Sequence, residues 1–161
     1  GSFEDTVNFD PDGAGNLVDS QGLGDIFVTK YCSNSNMPQW TQTSGGPGDD
    51  RAEAVSVSQD GPVMVVGSFT GTADFQAETK SSMGGKDIFL TSYDNNSVAS
   101  TVTFGGTQDD AATSIAVDAE GSFFVVGSFQ DVVDFQPNDG GDMRTALGGT
   151  DFFATKTCAS E

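Results

Sequence analysis

The feature that most constrains this chain is an internal repeat. The motif glycine-serine-phenylalanine begins at Gly1, Gly67 and Gly127, so its copies are spaced by 66 and then 60 residues. Further aligned sets follow in the same order along the chain: Phe9, Phe75 and Phe135; Asp25-Ile26-Phe27, Asp87-Ile88-Phe89 and Asp151-Phe152-Phe153; Gly45-Gly46 with Asp49-Asp50, and Gly105-Gly106 with Asp109-Asp110. Self-similarity at a nearly fixed spacing indicates tandem structural units, each stacked on its neighbours.

Each unit is predicted to contain four β-strands, and the middle unit shows them most clearly. Its predicted strands are Ala54–Ser58, Val63–Phe69, Asp87–Tyr93 and Ser100–Phe104. The first strand alternates apolar and polar residues, as a half-buried strand does, and the second is a continuous apolar run that suits burial on both faces. Asp60-Gly61 supplies a tight turn between them. Four antiparallel strands in tandem predict an all-β chain of β-propeller-type blades.

The repeat predicts about two and a half to three blades, incomplete at both ends. Residues 1–48 form a first blade that lacks its first strand, 49–108 a complete second blade, and 109–161 a third blade that lacks its outer strand. Propellers close with four to eight blades, so we expect open strand edges here. Three arrangements stay open: a window of a longer array, association with other copies of the chain, and an open fold that caps its own edges.

Several motifs resemble those of the bacterial SBBP-type β-propeller repeat family. The matching segments are Val66-Gly67-Ser68-Phe69, Asp74-Phe75, Gly84-Gly85-Lys86-Asp87-Ile88-Phe89-Leu90 and Ile115-Ala116-Val117-Asp118-Ala119-Glu120-Gly121. The family tryptophan is present as Trp40, but Ser100 replaces it in the next unit. The resemblance implies a propeller-type fold in a secreted or surface-attached protein, and it implies no particular activity.

Composition argues against several classes of function. The chain has 24 acidic and 6 basic residues, a net charge of −18 and no histidine. Such acidity repels nucleic acid, and the missing histidine removes the common nucleophilic triads and the usual neutral-pH general base. No apolar run is long enough to span a membrane. The most suggestive carboxylates repeat between units, which favours a scaffold role over one asymmetric catalytic site, so we predict a non-enzyme.

Two acidic loops are candidate Ca²⁺ sites. Asp10 and Asp12 follow Phe9, and Asp139 and Asp142 lie in the matching loop after Phe135. Carboxylates separated by turn residues are able to gather oxygen ligands around Ca²⁺, but neither loop has the spacing of an EF-hand. The alternative is that these carboxylates are solvated and bind nearby backbone N–H groups. We therefore predict no required cofactor, with Ca²⁺ as a candidate ligand.

Four other residues stand out as candidate sites. Cys32 and Cys158 occupy equivalent places two units apart, farther than an intrachain disulfide reaches, so an interchain disulfide or two free thiols are the alternatives. Trp40 does not repeat and is a candidate for stacking on a sugar or on a partner chain; the alternative is that it packs on an outer strand. Asn95 begins an Asn-Asn-Ser sequon in a predicted turn and is a glycosylation candidate.

Together these observations predict a non-catalytic structural protein, extracellular or at the cell surface. Its expected partners are copies of itself or neighbouring repeats of a longer chain, bound through exposed blade edges. We expect no nucleic-acid partner and no membrane insertion. The alternative prediction is a ligand-binding or adhesion module that recognises glycans or depends on Ca²⁺.

Overall fold

The computed structural model describes residues 1–10, 12–13, 15–34, 37–59, 61–138 and 140–157. All regular structure in these residues is β-strand, as predicted. Twelve strands lie in this part of the chain: β1 Ser2–Phe3, β2 Thr6–Asn8, β3 Leu17–Asp19, β4 Asp25–Tyr31, β5 Pro38–Ser44, β6 Arg51–Val57, β7 Val63–Asp74, β8 Thr79–Asp94, β9 Ser97–Phe104, β10 Ala111–Val117, β11 Phe123–Asp134 and β12 Met143–Thr157.

The strands form antiparallel sheets that follow the repeat. We name three of them the first sheet (β1-β4-β5), the second sheet (β6-β7-β8-β9) and the third sheet (β10-β11-β12). A separate two-stranded sheet contains β2 and β3. The second sheet has the four strands predicted for a complete unit, whereas the first and third sheets have three each. None of these sheets closes on itself in the described residues.

The strands of the second sheet extend beyond their predicted ends. The prediction ended one strand at Phe69, but β7 continues through an irregularity between Thr70 and Thr72, where Gly71 has a φ of +72°. This bulge lets the end of β7 pair with the start of β8, a stretch without the apolar run that marked the predicted strands. The equivalent hairpin of the first unit is the separate β2–β3 sheet, which explains why the described residues hold twelve strands and not the ten expected.

The second sheet lies between the other two and packs a hydrophobic cluster on each face. Successive residues of β7 alternate between faces: Val65 joins the cluster that contains Ile26 of the first sheet, and Val66 joins the cluster shared with the third sheet. The second cluster includes Phe104, whose ring packs on Phe135 and Phe153 of the third unit. Face-to-face packing of adjacent sheets therefore forms the core.

The repeated phenylalanines form one aromatic cluster in each unit. The clusters are Phe3, Phe9 and Phe27; Phe69, Phe75 and Phe89; and Phe129, Phe135 and Phe153. Their ring centroids lie 5.0–6.4 Å apart, mostly in edge-to-face or tilted geometry. Most of these rings are buried, so the repeat preserves a packed aromatic centre in every unit.

Candidate functional site at the open side of the third sheet

An exposed apolar face of the third sheet is the clearest surface feature. Phe152 is 84% exposed, whereas Ile88, at the equivalent position of the second sheet, is fully buried. Val126 is 41% exposed and its equivalent Val66 is also fully buried. In the second sheet this face is covered by the third sheet, and no other sheet of the described residues covers it in the third. We name Phe124, Val126 and Phe152 the end face.

A lysine covers part of the end face. The Nζ of Lys156 lies 5.1 Å from the centroid of the Phe124 ring and 3.2 Å from Oδ2 of Asp118. A cation above an aromatic face is attracted by the quadrupole of the ring. The ammonium group is therefore held over the sheet by two contacts, while the ring of Phe152 stays open to solvent.

The first sheet carries the complementary kind of exposed face. Tyr31 is 58% exposed, but Tyr93, its equivalent in the second sheet, is only 2% exposed and stacks on Trp40 of the first sheet. Phe27 is half-buried, whereas its equivalent Phe89 is buried in the cluster between the first and second sheets. We name Phe27 and Tyr31 the start face. Its residues correspond to those that the second sheet packs against the first.

The outer edge of β12 is the second open feature of the third sheet. Within the described residues β12 pairs only with β11, while the equivalent strands β8 and β4 each pair on both sides. A cavity of about 310 Å³ lies on this side of the third sheet. Its lining residues are Phe129, Phe135, Asp142, Arg144, Thr145, Phe152, Phe153, Ala154 and Thr155.

Two buried aspartates hold the junctions between sheets together. Asp50 accepts hydrogen bonds from the backbone N–H of Gly46 at 2.8 Å and of Thr70 at 3.1 Å. Asp110 repeats this geometry at the next junction, where it accepts from Gly106 and Gln130 at 2.7 and 2.9 Å. Desolvation by burial raises the pKa of Asp50 to about 6 and also raises the pKa of Asp110. These carboxylates order the glycine turns, which is the role the repeat predicts for them.

A second set of repeated aspartates closes a loop within each unit. Asp25, Asp87 and Asp151 each accept a hydrogen bond from the backbone N–H four residues earlier, at 3.0, 3.0 and 2.9 Å. A Cβ atom at Gly105 would overlap Cγ of Asp87, so the turn approaches the carboxyl too closely for any larger residue. Burial raises the pKa of Asp87 to about 6, with a further contribution from the nearby Asp110 charge. Each of these carboxylates therefore has one structural partner, while Oδ1 of Asp25 and of Asp87 is buried without a hydrogen bond from the described residues.

The predicted Ca²⁺ ligands lie in two separate loops, as the repeat places them. Asp10 and Asp12 lie in the loop after β2, and Asp142 directly precedes β12 in the third unit. Asp142 forms an ion pair with Arg144 at 2.9 Å. Asp139 lies outside the described residues. Among the residues that are described, no group of three or more acidic or cysteine side chains lies close enough to hold a metal ion.

The remaining predicted site residues fall in three separate places. Cys32 is half-buried and free, and its candidate partner Cys158 lies outside the described residues. Trp40 lies on β5, where its ring stacks on Tyr93 with centroids 6.2 Å apart. Asn95 is exposed in the two-residue turn between β8 and β9, with a φ of +54°. Packing between sheets therefore already involves the Trp40 ring.

The sequence predicted open strand edges in the third unit, but the end face was missed. The signal was present in the repeat, because Phe152 occupies the position that Ile88 holds in the second unit and Ile26 in the first. No protein-family model matches this chain, and no curated protein matches its sequence. The structure has no helix of the length and apolar character needed to cross a membrane, as judged over the described residues.

Proposed function

We propose that this chain is a non-catalytic structural module of an extracellular assembly, built from β-propeller-type blades. It associates with copies of itself or with neighbouring repeats when the end face of one unit stacks on the start face of the next. The observation that carries this proposal is the exposure of Phe152 at a position where Ile88 is fully buried. The compartment follows from the resemblance to SBBP-type repeats.

The two internal junctions provide the template for this contact. At the first, Tyr93 and Phe89 of the second sheet pack against Ile26 of the first sheet. Tyr31 and Phe27 of the start face are equivalent to Tyr93 and Phe89, so a second copy presents the same aromatic residues to the end face. Burying exposed apolar side chains stabilises the contact by about 25 cal/mol for each Å² removed from water.

Charge opposes association and makes it sensitive to salt. Each copy carries a net charge of −18, so two copies repel each other at long range. At the first internal junction, Lys86 of the second sheet binds Asp49 at 3.1 Å and offsets part of the acidic charge there. Because salt screens exposed charges, we expect association to strengthen as the salt concentration rises.

The carboxylates give no support to a catalytic role. Asp50 and Asp110 each accept two backbone hydrogen bonds, and Asp87 accepts one. A general acid or base needs a carboxyl group that is free to exchange a proton with a substrate. Since the repeated aspartates are buried and engaged in turns, a scaffold role accounts for them at both junctions.

Molar mass in solution tests the proposal. We expect a mass that increases with protein concentration and with salt, and that is unchanged by a chelator. A fall in mass on addition of a reductant would show that a disulfide through Cys32 contributes. Phe152→Glu should weaken association at least about tenfold, because it places a charge in the centre of the contact.

Leu147→Glu is the matched control. Leu147 is as exposed as Phe152, but its equivalent in the second unit, Met83, is exposed as well, so the stacked arrangement does not cover this position. We expect this variant to associate as the wild-type chain does. A monomer under every condition would overturn the proposal, as would an equal loss of association in both variants.

A further inference from the structure

The outer edge of β12 has the features of a strand-binding edge. In the second sheet, β9 covers the same edge of β8, with Thr91 opposite Thr101 and their hydroxyl oxygens 3.1 Å apart. In the first sheet, β5 covers β4, with Thr29 opposite Thr41 at the same distance. Thr155 is the third member of this set. It lies on β12, where the described residues supply no outer strand.

The side chain that secures the outer strand in the second unit also has an equivalent in the third. Oε1 of Glu78 accepts a hydrogen bond from the backbone N–H of Thr101 on β9, at 3.3 Å, and Glu78 is paired with Lys80. Asp142 and Arg144 occupy the equivalent positions and form the equivalent ion pair at 2.9 Å. Both line the cavity beside β12, so a carboxylate is in place to accept from an added strand.

A lysine on an edge strand often prevents pairing with another chain. Lys156 does not have that effect here, because its ammonium group binds Asp118 and lies over the Phe124 ring. The equivalent residue of the first unit, Lys30, lies on β4 directly opposite Trp40 of β5. A lysine at this position is therefore compatible with a paired outer strand.

We propose that the edge of β12 binds an extended segment of another polypeptide, which adds to the third sheet as an antiparallel fourth strand. The outer strands already present define its chemistry. Both carry threonine-x-threonine, at residues 41–43 and 101–103, opposite a threonine and a phenylalanine of the inner strand. In the third sheet those two partners are Thr155 and Phe153. The residue after the motif lies opposite Phe152, where the other units place Ser44 or Phe104.

The occupant is neither β5 nor β9 of the same molecule, because the threonine-x-threonine segments 41–43 and 101–103 already lie as outer strands of their own sheets. A segment like β9 carries no charged side chain, so it approaches this acidic protein without charge repulsion. Backbone hydrogen bonds to the edge supply the affinity of strand addition, and the alternating side chains supply its specificity. The binding uses an edge and not a face, so it is independent of the stacking contact proposed above.

Titration with a synthetic peptide of the β9 sequence, Ser97–Phe104, tests the proposal. The chain is held at a concentration at which it is monomeric, and backbone amide signals are followed by NMR. We expect saturable shifts confined to residues 152–157 and the cavity lining, and none with a scrambled peptide. In an added strand, only every second backbone N–H group points toward the edge of β12. Methylation of those peptide nitrogens should abolish binding, and methylation of the intervening nitrogens should preserve it.

A pair of threonine variants locates the contact on the edge. Thr155→Ala removes the hydroxyl that faces the peptide threonine, and we expect binding to weaken about threefold to tenfold. Thr150→Ala lies on the same strand away from the cavity and should change the affinity less than about twofold. Shifts spread over other strands, equal binding of the scrambled peptide, or equal loss from both methylation phases would overturn the proposal. Pairing of β12 with a second copy of the chain, with no effect of the peptide, would also overturn it.

Discussion

The second and third sheets show how the same strand pattern leads to opposite environments. Ile88 and Phe152 occupy equivalent positions of their strands, and each follows an aspartate and precedes a phenylalanine. Ile88 is nevertheless fully buried, whereas Phe152 is 84% exposed. Local sequence specifies both strands equally well. The difference arises because the third sheet covers the second, whereas no described residue covers the third. Burial in a stacked protein is thus a property of neighbours and not of the strand.

The comparison also separates two kinds of repeated residue. The phenylalanine clusters are packed within every unit, so their environment changes little from the second sheet to the third. The end face differs, because its second-sheet equivalents Met64, Val66 and Ile88 pack against the third sheet. A repeat protein therefore combines contacts that each unit forms internally with contacts that require a partner.

The largest expected effect comes from placing a charge at the two compared positions. Ile88→Glu buries an unpaired carboxylate between sheets and should lower the free energy of unfolding by roughly 3–5 kcal/mol or prevent folding. Phe152→Glu exposes its charge to solvent and should change stability by no more than about 0.5 kcal/mol. Chemical denaturation of both variants measures the contrast. Equal destabilisation would show that the third sheet's face is already covered.

A smaller contrast is expected between two repeated aspartates. Asp110→Ala leaves the backbone N–H groups of Gly106 and Gln130 without their acceptor at a buried junction, and should cost about 2–3 kcal/mol. Asp151→Ala removes one exposed hydrogen bond to Leu147 and should cost less than about 1 kcal/mol. Thermal unfolding of the two variants measures both values. A larger loss for Asp151→Ala would contradict the assignment of the junction carboxylates as the structural ones.

Acidification is expected to stabilise the chain moderately. Burial raises the pKa of Asp50 and Asp87 to about 6, and it also raises the pKa of Asp25 and Asp110. The folded state therefore binds more protons than the unfolded state between about pH 4 and 6, so stability increases as the pH falls through this window. From pH 7 to pH 5 we expect Tm to rise by roughly 2–4 °C. A fall in Tm over this range would contradict the assignment.

Asp87→Asn provides the matched test of that pH dependence. The amide cannot ionise, so the variant should have a higher Tm than the wild-type chain at pH 7 and a weaker dependence on pH. Below about pH 4 the trend reverses, because Asp49 and Glu78 have pKa values lowered by Arg51 and Lys80 and lose those contacts on protonation.

The smallest contrast concerns two lysines. Lys86 pairs with Asp49 at the start of the second unit, beside the first junction, whereas Lys156 pairs with Asp118 in the third unit, and both ion pairs are partly solvated. Each lysine-to-alanine change should cost about 0–1 kcal/mol. Lys156→Ala should nevertheless uncover the Phe124 ring and increase self-association, which Lys86→Ala should not do. Measured molar mass and Tm distinguish the two effects.

Much of the fold could be predicted from this sequence because the repeat supplies three aligned examples of one pattern. The apolar run at Val63–Phe69 and the glycine turn before it both mark structure that forms locally. The prediction missed the second half of β7, since Thr72–Asp74 has no apolar run and is held in the sheet by its partner strand. Strand ends defined by pairing alone leave little local signal.

The candidate site was harder to predict for the same reason. The aspartates that order the glycine turns recur, and their role followed from the repeat. Phe152 and Thr155 became recognisable only when the structure showed which equivalent positions were covered, by the third sheet over Ile88 and by β9 beside Thr91. A sequence shows what a position prefers. It does not show whether another sheet or strand covers that position.

The end face and the start face consist of different residues, and this has a consequence for any assembly that joins them. A contact between unlike surfaces lacks a twofold axis, so a pair of molecules always retains one free end face and one free start face. Growth by this contact has a direction and ends only by cyclisation or by a terminating subunit. The pitch between successive sheets thus decides whether the product is a ring or a filament of unlimited length.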